Sequence, residues 1–218
     1  MKKSKPLRRI QHWIASSLLI AGLAGCMSIR TEYPDITYYH LVQQPLQSSL
    51  QHYRFPASLW IRLLTVDAEF ATDRFVILYP EGTVKRLFYH RWAAEPSSLI
   101  TDAVARRLIR YGSFASGIFR ERVLMSPRYL LEGRVLEFAA RWDEENDRYV
   151  VHLSIYYTFS RRTQKTALSY HPLFQELFSI TLPCPDDELE QIAPTMSRAV
   201  AQLTDQLLQK IADFVQQQ

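Results

Sequence analysis

The chain has 218 residues, 47% hydrophobic and 22% charged, with only six glycines and a formal net charge of +4. That is globular composition, and it excludes disordered, collagen-like and coiled-coil classes. Five of the 26 basic residues, Lys2, Lys3, Lys5, Arg8 and Arg9, lie in the first 25 positions, where no acid occurs; the remainder carries 21 basic against 22 acidic residues, a net −1. A nucleic-acid partner loses its electrostatic footing, and none is expected.

The basic run of residues 1–9 precedes an apolar stretch at 10–24, the shape of a secretory signal peptide. Fifteen residues fall short of the roughly 20 that a permanent spanning helix needs. The stretch ends Leu23-Ala24-Gly25-Cys26, which resembles a bacterial lipoprotein box. In that resemblance residues 1–25 are removed and Cys26 is lipidated to become the first mature residue. Met27 and Ser28 follow where an aspartate would mark inner-membrane retention, so the resemblance implies an outer-membrane anchor facing the periplasm. Residues 26–35 then read as the lipidated N-terminus and tether, and 36–218 as one domain. Cys184, in Leu182-Pro183-Cys184-Pro185, has no other sulfur left to pair with, and reads as a small buried loop residue rather than a bridging or reactive thiol.

Within the domain, Ile36, Thr37, Tyr38 and Tyr39 open a first strand at 36–42, and the Pro-flanked stretch 43–56 reads as loop. A second strand is expected at 59–66, and a hairpin at 74–79 and 83–89 around Pro80-Glu81-Gly82. From Pro96 the period becomes helical through Leu99, Ile100, Ala103, Val104, Leu108 and Tyr111, and Gly112 stops it. Strands follow at 117–124 and 129–142. Tyr149, Val151, Leu153, Ile155, Tyr157 and Phe159 then alternate with less apolar neighbours, which predicts a strand with one buried face. Residues 143–147 and 161–166 read as charged loops, and 173–181 as a further strand. Ile192, Met196, Ala199, Val200, Leu203, Leu207, Ile211 and Val215 form the stripe of a closing helix that starts near Pro194. Seven or eight strands and two amphipathic helices give an α+β fold: a twisted, mainly antiparallel sheet covered by two helices in a small sandwich.

Chemistry is sparse. The chain lacks a Gly-x-Ser-x-Gly elbow, and Gly112-Ser113 and Ser116-Gly117 are its nearest approach. The six histidines are scattered without the spacing of metal ligands on one element. Asp143-Glu144-Glu145 and Asp186-Asp187-Glu188 lack calcium-loop spacing. No enzyme, metal or cofactor is expected. From Cys26 onward there are 18 arginines against three lysines, so Arg120, Arg122, Arg161 and Arg162 are candidates for contact with lipid headgroups or a partner, against arginine serving simply as the default surface cation.

Three segments carry a resemblance: Tyr38-Tyr39-His40-Leu41, then Tyr89-His90-Arg91-Trp92-Ala93-Ala94-Glu95-Pro96 entering a helix, then Leu131-Glu132-Gly133-Arg134-Val135-Leu136-Glu137-Phe138 before an acidic hairpin. In this order they resemble the ABC-type transport auxiliary lipoprotein family, of the paraquat-inducible protein C kind. Two departures are Asp67-Ala68-Glu69-Phe70 after the second strand and the extra Ala94. The resemblance implies a non-catalytic lipoprotein partner of an MCE-domain periplasmic protein with its inner-membrane permease and ATPase, in a system carrying phospholipid or other hydrophobic cargo, and it admits a homo-oligomer. The opposing reading is a structural or assembly lipoprotein that never touches cargo. Tyr89 and Trp92 are candidates for a docking or lipid-facing surface, against Trp92 lying in the core. Palmitate labelling in cells tests the anchor: it marks the wild-type chain and is lost in Cys26→Ala.

Overall fold

A computed structural model describes residues 35–121, 127–163 and 169–216. Its organising element is strand β7, Tyr129–Asp143, whose fifteen residues pair antiparallel along their whole length with β8, Arg148–Arg162. β8 in turn pairs antiparallel with β9, Tyr170–Pro183. On its other edge β7 receives three short strands end to end, all parallel to it. These are β2 (Leu59–Ile61) at Tyr129 to Leu131, β3 (Thr65–Val66) at Arg134 and Val135, and β4 (Arg74–Leu78) at Ala140 and Arg141. β4 forms the expected hairpin with β5, Val84–Trp92, which pairs in parallel with β1, Thr37–Tyr39. β6, Ile118–Phe119, lies parallel to β2. The long ladders are antiparallel; the parallel junctions are all short.

Each long strand is explained by its alternation. Val151, Leu153, Ile155, Tyr157 and Phe159 are fully buried on one face of β8, and their neighbours in β7 and β9 on that face include Phe138, Phe174 and Phe178. Both helices cover this face: α1, Pro96–Tyr111, and α2, Ile192–Gln216, which packs on β8, β9 and α1. α1 begins on Pro96, as the N-terminal preference of proline favours, and ends at Gly112 with φ 62°, where a left-handed residue caps the last carbonyls. α2 buries Met196, Leu203, Leu207 and Ile211 along the anticipated stripe, with Val215 half-buried at its end. At about 1.5 Å per residue its 25 residues run roughly 37 Å.

Several boundaries differ from the sequence reading, each for a local reason. The strand expected at 36–42 shortens to Thr37–Tyr39 because the Val42 amide donates instead to Ser197 Oγ of α2 at 3.0 Å. The single strand expected at 59–66 is two, since the Leu64 amide leaves the ladder for Thr101 Oγ1 of α1 at 3.0 Å while the Leu64 side chain is buried. The strand expected at 117–124 is reduced to two residues, and 122–126 lie outside the described residues. Arg161 and Arg162, placed in a loop by the sequence reading, are the last residues of β8. Cys184 is buried at the end of β9, its amide bonded to the Tyr149 carbonyl.

A buried ion pair joins the two helices to the segment after β1. Arg107 of α1 donates from Nε and Nη2 to the two carboxylate oxygens of Asp205 on α2, at 2.6 and 2.7 Å. Tyr111 donates to Asp205 Oδ1 and accepts from the Gln47 amide, while Arg107 also donates to the carbonyls of Gln44 and Pro45. Burial works against the Arg107 charge; Asp205 and Tyr111 outweigh it, and the guanidinium pKa is raised. Asp205→Ala strands that charge, so it is expected to lower unfolding free energy by about 3–5 kcal/mol in urea titration, whereas Arg107→Met with Asp205→Leu recovers most of the loss.

Candidate functional site

The face of the sheet away from the helices is read row by row from the strand register. Arg134, Tyr156 and Leu177 stand side by side across β7, β8 and β9; Glu132, Thr158 and Gln175 form the next row, and Glu137, Ser154 and Ser179 another. Gln175 donates to Thr158 Oγ1 at 3.2 Å, and the Ser154 and Ser179 hydroxyls share a 2.8 Å hydrogen bond, so the polar rows are tied across strands. The apolar members are left open: Leu63, Tyr156 and Leu177 are 54%, 40% and 52% exposed. Leu63 and Tyr156 border a shallow concavity of about 410 Å³ with Arg62, Glu132, Arg134 and Thr158.

Two features of β7 build this face. Gly133 lies where a Cβ would come within 2.9 Å of Tyr157 and 3.0 Å of Leu64, so the strand stays close to both only without a side chain. The bulge between Val135 and Glu137 then shifts the alternation by one. Phe138 therefore turns under the helices, and Glu137 comes out among polar neighbours.

Charges on the face are mostly internally matched. Arg62 pairs with Glu132, and Arg134 with Asp67. Arg141 grips Glu137 bidentately at 2.8 and 2.6 Å, and His152 Nδ1 stands 2.9 Å from the same carboxylate. Burial alone would push the Glu137 carboxyl up; the hydrogen bonds and charges of His152 and Arg141 hold it below the usual carboxylate range. The arrangement presents an apolar strip bordered by paired charges, chemistry suited to docking another surface.

The residues singled out from sequence are not brought together. Trp92 is 3% exposed, tilted against Phe75 and Phe138 with ring centroids 4.5 and 4.9 Å away, and as a core residue it offers no docking surface. The correction follows from parity: at the end of β5, Trp92 shares the helix-covered face with Phe75. Tyr89 is half-buried on β5 against Phe88. Arg161 and Arg162 stand across from Tyr129 and Tyr170, so nine residues of β7, about 30 Å at 3.3 Å each, separate them from Phe138 and Trp92. Arg120 pairs with Asp102, while Arg122 and Cys26 lie outside the described residues. Ser113 is buried and its hydroxyl has no hydrogen-bond partner among the described residues.

Sequence reasoning missed the Glu137, Arg141 and His152 cluster and the Tyr156 to Leu177 strip. Alternation in β8 does place Tyr156 opposite the buried residues, but its neighbours come from the register, and the bulge at Leu136 leaves no signal in one sequence. Among the described residues, no group of three or more His, Cys, Asp or Glu is placed to hold a metal ion. No helix there is long and apolar enough to cross a membrane.

Among the described residues these features define a class: a nine-stranded sheet with two α-helices on one face and an open, charge-bordered opposite face. The chain is similar in fold to a Xanthomonas campestris protein of the DUF330 family, at 14% identity with a TM-score of 0.67, covering 84% of this chain and 97% of that one. It is also similar to the Chlamydia trachomatis hypothetical protein CT253, at 9% identity and a TM-score of 0.51, covering 74% and 98% respectively. No curated protein matches it. The family of ABC-type transport auxiliary lipoprotein components matches residues 39–208, and the chain belongs to that family.

The depressed Glu137 pKa has a pH consequence. Stability from this carboxylate is present above the unfolded-state value and is lost as pH falls through the lower folded value. Glu137→Gln is expected to cost roughly 1 kcal/mol at neutral pH and to flatten the acid-side decline below about pH 4.5 in urea titrations. An unchanged acid slope would remove the cluster from this account.

Proposed function

We propose that the chain is an outer-membrane-anchored periplasmic lipoprotein, a non-catalytic auxiliary component of an ABC/MCE-type intermembrane lipid transport system. One observation carries the reading: the Leu23-Ala24-Gly25-Cys26 box stands directly before a domain that belongs to the transport auxiliary lipoproteins. Met27 and Ser28 after the cysteine support the outer-membrane destination. In this reading the acyl chains on Cys26 hold the domain at the membrane, since two or three chains anchor durably where one binds marginally. The domain docks the periplasmic part of an MCE-domain protein, whose permease and ATPase supply the energy.

With Trp92 in the core, the open sheet face is the better docking surface, and Tyr156, Leu177 and Leu63 are its apolar contacts. Tyr89, and separately Arg161 with Arg162, are proposed as outlying contacts at opposite ends of the sheet. Phospholipid or another hydrophobic molecule is the proposed cargo of the system, and a homo-oligomer is compatible with the same anchor.

The experiment is affinity purification of the lipidated chain from crosslinked, detergent-solubilised membranes, with mass spectrometry of proteins and lipids. Recovery of an MCE-domain protein is expected, and Tyr156→Asp with Leu177→Asp lowers that recovery at least roughly tenfold, the scale of one interface hot spot. Recovery of only an outer-membrane assembly complex would transfer the chain to a structural role without cargo.

A further inference from the structure

A second surface lies where the first residues of the domain cross the two helices. Residues 41–44 run beside α1 and α2 and enclose a narrow cleft with a floor of Leu41, Ala103, Val200 and Ala201. Arg106 and Arg110, one helical turn apart on α1, stand at its rim, and Arg107 forms its inner wall. Among the described residues, no acidic side chain lines it. Asp205 is consumed by Arg107, and Asp102, the acid on α1, by Arg120. Arg106 and Arg110 therefore form no ion pair among the described residues, and neither does Arg54, which packs beside Gly112 at the end of the helix. Two exposed aliphatic side chains flank the arginines, Val42 at 63% and Ile109 at 55%.

We infer that this outer face of α1, with Arg106 and Arg110 over the cleft and Val42 and Ile109 beside it, is the surface by which the domain lies on anionic phospholipid headgroups. Arg110 donates one Nη1 hydrogen to the Gln44 carbonyl at 2.9 Å, which holds its guanidinium at the rim; with no acid opposing either arginine among the described residues, the two guanidinium groups one turn apart match phosphate oxygens, which they bind in forked geometry. Neighbouring aliphatic side chains suit the boundary between headgroups and acyl chains. The enclosed space is only about 20 Å³, room for one small group, so the headgroup is held at the rim and no acyl chain is engulfed. This separates the surface from a cargo cavity.

Chain length points to the same occupant. The inference rests on the anchored reading of Cys26, from which ten residue steps lead to Ile36, a reach of at most about 36 Å when extended. The segment that walls the cleft begins five residues later, at Leu41, so the tether sets an upper bound on how far this surface can stand from the bilayer that holds the anchor.

The test uses the full lipidated chain in vesicles, with an environment-sensitive fluorophore on Ile109→Cys; Cys184, at 1% exposure, stays unlabelled. Co-flotation with vesicles reads the anchor, and the fluorophore reads the face, so the two ideas fail separately. A blue shift is expected in phosphatidylcholine vesicles containing about three parts in ten phosphatidylglycerol, absent from phosphatidylcholine alone and reversed by salt. Arg106→Glu with Arg110→Glu lowers that response roughly tenfold or more, and the milder Arg106→Gln with Arg110→Gln lowers it less, while both variants still float. Three outcomes overturn the inference: no difference between the two vesicle types, a shift that rises with protein density in neutral vesicles and so belongs to a second copy, or a shift produced by soluble polyglutamate but not by phosphatidylglycerol.

Discussion

Strand β7 is the constraint on which the rest of the structure depends. One edge is fully occupied by β8, and the other must be satisfied by segments that are each too short to cover it. Between β2 and β3, and again between β3 and β4, the chain leaves the ladder and returns; the Arg62 and Asp67 amides still reach the Leu131 and Val135 carbonyls of β7, and the released Leu64 amide finds Thr101 of α1. Backbone accounting is thus closed by the helix as well as by the sheet. Gly133 permits the close approach at the middle of this seam, and the following bulge decides which side chains face the helices.

The helices depend on a different balance. Most of their attachment is apolar, from Leu99, Ile100, Val104 and Leu108 on α1 and the Leu and Met stripe of α2. The Arg107 and Asp205 pair adds orientation: its geometry is satisfied only when both helices and residues 44–47 are in place. Because Asp205 is spent inside, the arginines on either side of Arg107, Arg106 and Arg110, are left without acidic partners among the described residues. Charge matching within the core thereby leaves a positive rim outside it, while the opposite sheet face is nearly self-neutralised by its own pairs.

Much of this was legible in the sequence. The alternation from Tyr149 to Phe159, the α1 period with its Pro96 start and Gly112 stop, and the α2 stripe each repeat one physical rule over many residues. Legibility failed where a long-range partner overrides a local pattern, as at Leu64, whose amide is claimed by Thr101, or at Val42, claimed by Ser197. Parallel pairing onto β7 was invisible for the same reason, since nothing in a three-residue strand names its neighbour. Trp92 illustrates the site problem: an aromatic beside a helix start reads equally as anchor or as core, and only the pairing of β5 with β4 turns it inward.

The order in which these strands occur along the chain has a kinetic consequence. β7, β8 and β9 are consecutive and separated by few residues of sequence, so their ladders close small loops and can form early. The attachments of β2, β3 and β4 must instead wait for a seam that lies downstream, because these strands pair with β7 and not with one another. A chain emerging N-terminus first therefore exposes some ninety residues whose sheet contacts with one another are the β4 to β5 hairpin and the short parallel junctions of β1 with β5 and of β2 with β6, too little to hold a fold by themselves. Such a leading segment commits to its tertiary position only when β7 arrives to receive β2, β3 and β4.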